Sequence, residues 1–134
     1  MAHNDGRTTW VIVASRDHAR RGIGEGFVMA NHGKRAPLAR MDIGDGIVVY
    51  SPKTTFPDGE PLRAITIVGE VTGDAPEPST IIPGGFRRAA SLREIAPLPL
   101  DRIRDHFPVS RIRFGSFALS PDDADAVWAL VGEG

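Results

Sequence analysis

Apolar and β-branched residues fall in short runs separated by glycine, proline and charge, a spacing that suits strands better than long helices. Trp10-Val11-Ile12-Val13 reads as a buried strand, and Ile47-Val48-Val49-Tyr50 as a second that stops at Pro52. Leu62 to Thr72 predicts a third, with Ile65, Ile67 and Val68 as core candidates. Phe86 to Ile95 interleaves Arg87, Arg88 and Arg93 with Ala89, Ala90, Leu92 and Ile95, which predicts a strand with an exposed basic side. Arg111-Ile112-Arg113-Phe114 alternates charge with apolar residues as a half-buried strand does, and Gly115 permits a bend before Phe117 and Leu119. Between these, Gly22, Gly24 and Gly26 disfavour one long helix, so 17–31 is expected to be a loop with a helical turn at Phe27 to Ala30. Short helices are predicted at 36–41, from Pro37, Leu38 and Met41, and at 100–107, from Leu100, Ile103 and Phe107. The last helix has Ser120 as N-cap, Pro121 at its first position, Asp122 and Asp123 at the positive dipole end, and Val127, Leu130 and Val131 as its buried stripe. Turns are marked by Gly44-Asp45-Gly46 and Phe56-Pro57-Asp58-Gly59, and a surface loop by Pro76, Pro78 and Pro83. Roughly six strands with short helices, and no regular alternation with long ones, point to an α+β fold: a small mixed β-barrel flanked by short helices.

Composition narrows this reading. At 134 residues and 41% hydrophobic content, the chain can close one core, so 9–134 is expected to be one domain behind a flexible lead-in, 1–8. Sixteen basic and seventeen acidic residues give a net charge of −1, so no global positive field holds nucleic acid, and such a role needs a local patch or pocket. The absence of cysteine excludes disulfides and thiolate metal sites and fits a reducing compartment. With no signal-like N-terminus and no long apolar run, a soluble cytoplasmic protein without membrane association is expected.

Groups that packing does not call for gather between Ser15 and Lys53: Ser15-Arg16-Asp17-His18, Gly26-Phe27, His32-Gly33-Lys34 and Tyr50-Ser51-Pro52-Lys53. Each cluster follows or interrupts an apolar segment, where a rigid frame presents loop side chains. Trp10, Phe27, Tyr50 and Phe114 could form an aromatic pocket for a flat ligand, with Ser15, Asp17, His32 and Lys53 reading its edge. For any single aromatic, core packing is the commoner role. Arginines at 87 and 88 are candidates for phosphate contacts. Ser15, Asp17, His18 and His32 are the residue types of an acid–base or nucleophilic site, but there is no Gly-x-Ser-x-Gly elbow. His3, His18, His32 and His106 are dispersed, so no metal is expected. Gly22-x-Gly24-x-Gly26 lacks both the dinucleotide fingerprint and the P-loop lysine pattern, and no cofactor is expected.

Taken in order, Trp10, Val13 to His18, Gly22, Gly26-Phe27, His32 to Lys34, Pro37-Leu38, Arg40-Met41, Gly44-Asp45, Tyr50 to Lys53 and Arg113-Phe114-Gly115 resemble the stand-alone bacterial EVE domain, a PUA-like family. The resemblance implies a small β-barrel with a pocket for a nucleobase, in particular a modified one, in DNA or RNA, and no catalysis. By the same resemblance Ser15, Arg16, Asp17, His18, Phe27, His32, Gly33, Lys34, Tyr50, Ser51, Pro52 and Lys53 line or support the pocket, with Arg113 and Phe114 on an opposing wall. Relatives often carry a tryptophan near the position of Phe107, which makes Phe107 a candidate replacement. The alternative is a small acid–base enzyme of the ASCH type acting on a nucleoside-like substrate.

Overall fold

The computed structural model describes residues 7–133; most of the expected lead-in, Met1 to Gly6, lies outside the described residues. Among the described residues seven strands form one curled sheet: β1 (Thr9–Val13), β2 (Phe27–Val28), β3 (Gly46–Lys53), β4 (Pro61–Val71), β5 (Glu77–Pro78), β6 (Phe86–Pro99) and β7 (Ser116–Leu119). Their order is β2-β6-β4-β3-β1-β7, with β5 paired to β6. Only β1 and β3 run parallel, so both end at the same edge of the sheet. The helices are α1 (Arg16–Glu25), α2 (Arg35–Ala39), α3 (Leu100–Ile103) and α4 (Pro121–Glu133). The α+β barrel-like architecture is as expected from the pattern of short runs.

Both faces of the sheet are buried, which explains why β3 is apolar without alternation from Ile47 to Tyr50. On one face Val11, Val48, Tyr50, Ile65, Val68 and Phe117 pack under α3 and α4 with Ile103, Val127 and Val131. On the other Ile12, Ile47, Val49, Ile67 and Val71 meet Leu38 and Met41, with Ala19 and Ile23 of α1 alongside. A register shift between Ile65 and Ile67 sends these two residues to opposite cores, although their spacing would place them on one face of a regular strand.

Three local expectations are corrected. Residues 16–25 form α1 despite Gly22 and Gly24. Ser15 caps it by accepting from the His18 amide at 3.3 Å, and Gly26 closes it in the left-handed region at φ 77°. Gly22 is there for closeness: a Cβ at this position would stand 2.2 Å from the Phe27 carbonyl oxygen. Phe27 accordingly belongs to a strand, paired with Ala89, and not to a helical turn. Arg111 to Phe114 lies in a tight helical turn, Val109–Phe114, and the strand follows it at Ser116–Leu119. Finally, the proline-rich loop contains β5, a single pair of rungs on β6.

Arg88 is 2% exposed and also departs from the exposed basic side expected of its strand. Its guanidinium donates to the carbonyls of Gly73 (3.0 and 2.9 Å), Leu38 (2.7 Å) and Met41 (2.7 Å). It therefore ties the end of α2 and the β4–β5 connection to the sheet, and it is not a phosphate contact. Asn31, just past β2, bridges the two ends of the sheet order: its Nδ2 donates to the Phe114 carbonyl at 2.6 Å and its Oδ1 accepts from Ser116 Oγ at 2.8 Å.

Candidate functional site

An open cleft lies between α1, β2 and the loop that follows β5. Its floor is Ile12 and Val49, one wall is His18, Ala19 and Gly22 of α1, and the other is Phe27, Met29, Ser79, Ile81 and Arg87. The local sequence builds each wall. Gly22 lets α1 sit directly on β2. Ser79 Oγ accepts from the amides of Ile81 (3.0 Å) and Ile82 (3.1 Å), folding the loop so that Ile81 forms a half-exposed lip. Gly33, at φ 88°, packs this loop against the 31–33 turn, where a Cβ would meet Gly85 Cα at 3.3 Å.

The most specific feature is the guanidinium of Arg87, which lies over the Phe27 ring with its central carbon 3.6 Å from the centroid. Arg87 Nη1 reaches Thr80 Oγ1 and Nη2 reaches Glu77 Oε1, both at 3.3 Å. Its Nε is buried and has no hydrogen-bond partner. On the facing wall, burial is the main cause that lowers the His18 pKa below its usual value, and electrostatic interaction with Arg21 and His32 adds to it. The imidazole is therefore neutral near pH 7.

Of the expected constellation, two residues belong to the lining of this cleft. Phe27 and His18 line it. Ser15 and Asp17 fix the start of α1: Asp17 N donates to the Thr54 carbonyl at 2.9 Å, and the Asp17 carboxylate accepts from Thr55 Oγ1 and faces Arg20 at 3.6 Å. Arg16 is half-buried, with Nε enclosed and unpartnered. His32 is exposed, at φ 59°, and its ring centroid is 6.5 Å from that of Phe56. Lys34 is exposed, and Lys53 Nζ donates to the Pro57 carbonyl at 2.8 Å. Phe114 is exposed with the Arg113 guanidinium 5.0 Å from its centroid, and its carbonyl is held by Asn31 beside His32.

Tyr50 and Ser51 are elsewhere. Tyr50 is 3% exposed and sits on the sheet face opposite the cleft, its ring 5.5 Å from that of Phe107. Phe107 in turn packs edge-on against Phe117, so it is a core residue. Ser51 shares a 2.8 Å hydrogen bond with buried Thr66, and Pro52 is half-buried behind it. Sequence reasoning missed Ser79, Ile81, Met29 and the stacking role of Arg87. The available signal was the Ser-Thr-Ile-Ile-Pro-Gly-Gly stretch before β6, whose turn chemistry marks a shaped loop.

A curled mixed sheet with helices on both faces and a cleft at one edge is the architecture of PUA-like domains. The fold matches the NMR structure of a Rhodopseudomonas palustris protein with a TM-score of 0.64 at 12% identity, covering 93% of both chains. It matches the crystal structure of an Agrobacterium tumefaciens protein with a TM-score of 0.60 at 15% identity, again over 93% of each. The EVE domain family model matches residues 8–130, and the chain belongs to that family. It is similar to UPF0310 proteins of Mycolicibacterium vanbaalenii, 37% identical over 130 residues and 90% of each chain, and of Mycolicibacterium gilvum, 40% identical over 131 residues, covering 90% of this chain and 92% of that one. Among the described residues no helix is long and apolar enough to cross a membrane, and no group of three or more potential ligands could hold a metal ion.

Proposed function

We propose that this chain is a non-enzymatic reader of a nucleobase, in particular a modified one, presented by DNA or RNA. The base enters the cleft and stacks on Phe27, with neutral His18 and the Ser79–Ile81 loop at its edges. The observation that carries this reading is the Phe27 ring on the cleft wall: the Arg87 guanidinium lies over it with its central carbon 3.6 Å from the centroid, the position a stacked base would take once the arginine moves aside. Stacking on an aromatic ring contributes about 1–3 kcal/mol per base. Lys34, His32 and Arg113 are exposed and would be available to flanking phosphates, which orient a strand without reading it. Two of the four side chains an acid–base mechanism would use help build the start of α1: Ser15 Oγ caps it and the Asp17 carboxylate accepts from Thr55 Oγ1.

Titration of isotope-labelled protein with a panel of plain and modified nucleosides and short oligonucleotides tests this. Saturable shifts at the amides of His18, Phe27, Met29 and Ile81, abolished by Phe27→Ala in a protein that keeps its fold, are the expected result. Shifts confined to surface lysines, or a nucleoside chemically converted during the titration, would overturn the reading.

A further inference from the structure

The cleft as it stands cannot take a base onto the inner face of Phe27, because the guanidinium is 3.6 Å from the ring centroid and no planar group fits between them. Any stacked ligand must displace Arg87. The arginine does not travel far, since it is anchored on β6 beside β2, and its backbone position pairs with Glu77 of β5. A displaced guanidinium therefore remains at the edge of the ligand it has made room for.

Three features of Arg87 say what that ligand edge must carry. Its Nε is enclosed without an acceptor, so one donor is unused in the closed arrangement. Its two other nitrogens are held only by bonds of 3.3 Å, to Thr80 Oγ1 and Glu77 Oε1, at the long end of the hydrogen-bond range and easily exchanged. The Glu77 carboxylate already balances the charge, which opposes an anionic ligand and favours a neutral one. A guanidinium fork with these properties matches a pair of neutral acceptors on one ring edge, the O6 and N7 pattern of a 6-oxopurine, and mismatches an amino group at the same place.

We infer that Arg87 is the specificity-determining residue of the cleft, covering Phe27 in the empty protein and selecting a neutral base with paired acceptors, such as a 6-oxopurine. The inference rests on the cleft being a base site. Calorimetric titration with inosine and adenosine, which differ in the oxygen or amino group at position 6, is the direct test. The intact protein should bind inosine at least tenfold more tightly. Arg87→Gln should narrow or reverse that ratio, because a glutamine amide pairs with the adenine edge, and Arg87→Ala should bind the two alike; thermal midpoints establish that each variant is folded. Equal affinities in the intact protein, or a preference that survives Arg87→Gln, would remove Arg87 from this role. Binding that depends on Phe27 but ignores position 6 overturns this inference alone, whereas absence of binding by every nucleoside and oligonucleotide overturns the base reading and the inference with it.

Discussion

Arg87 and Arg88 are neighbours that do opposite work, and strand geometry is the reason: successive side chains leave a strand on opposite faces. Arg87 covers an aromatic ring in an open cleft, while Arg88 donates to the buried carbonyls of Leu38 and Met41 and to the half-buried one of Gly73. Replacing Arg88 by alanine strands the two buried carbonyls at about 1–3 kcal/mol each, so denaturant unfolding should show a loss of at least about 2 kcal/mol. A loss under about 1 kcal/mol would mean that water replaces the guanidinium. The same contrast separates the two aromatics that the sequence made equivalent. Tyr50→Ala empties a packed site between Val48 and Phe107 and should cost about 3–5 kcal/mol, with ligand affinity per folded molecule nearly unchanged. Phe27→Ala, in a half-buried wall, should abolish binding with a much smaller shift of the thermal midpoint. Nothing in the alternation of apolar and polar residues distinguishes these cases. Tyr50 closes an apolar run and Phe27 opens one, each beside a polar cluster, and only the sheet pairing shows which face each one takes.

At the scale of elements, what was legible is what local chemistry decides alone. β1, β3 and β4 are dense in β-branched residues, and α4 carries its own cap: Asp123 N donates to Ser120 Oγ at 3.2 Å. What was hidden is decided by tertiary packing. Two glycines inside α1 argue against it on propensity, at about 1 kcal/mol each, yet Gly22 supports it by letting the helix touch β2, and Arg20 fixes it to β6 through a two-pronged contact with Glu94 at 3.0 and 2.7 Å. Arg111 to Phe114 alternates like a strand, but it closes into a tight helical turn ending at Gly115, φ 80°. The capping role of Ser15 is likewise a matter of context. Ser15→Ala should lower stability by about 0.5–2 kcal/mol, and it should loosen the wall that carries His18. Amide exchange localises the effect: faster exchange confined to the first turn of α1 and to Thr54–Thr55 is the expected pattern, and uniform acceleration would argue against a local cap.

For the whole molecule, the cleft couples stability, charge and binding through one titrating group. His18 is half-buried, and Arg21 and Glu25 of its own helix, Arg87 across the cleft and His32 of the neighbouring turn are the charged or titratable groups around it. Burial first, then electrostatic interaction with Arg21 and His32, holds its pKa below the ordinary value, which is about 6.5. The native state thus binds fewer protons than the unfolded chain over the window beneath that value, and stability must fall as pH drops through it. The contribution is fully present above about pH 6.5 and is lost progressively as pH falls towards the lowered native pKa. Protonation also adds a cation opposite Arg87, so an acceptor-bearing base gains a donor while the empty cleft gains repulsion. Unfolding free energies measured at a series of pH values from above 7 to below 6 should decline more steeply for the intact protein than for His18→Gln, which carries no titrating group there. Parallel curves would show that His18 titrates alike in both states. That result would place its ring in water, outside the wall on which the base site depends.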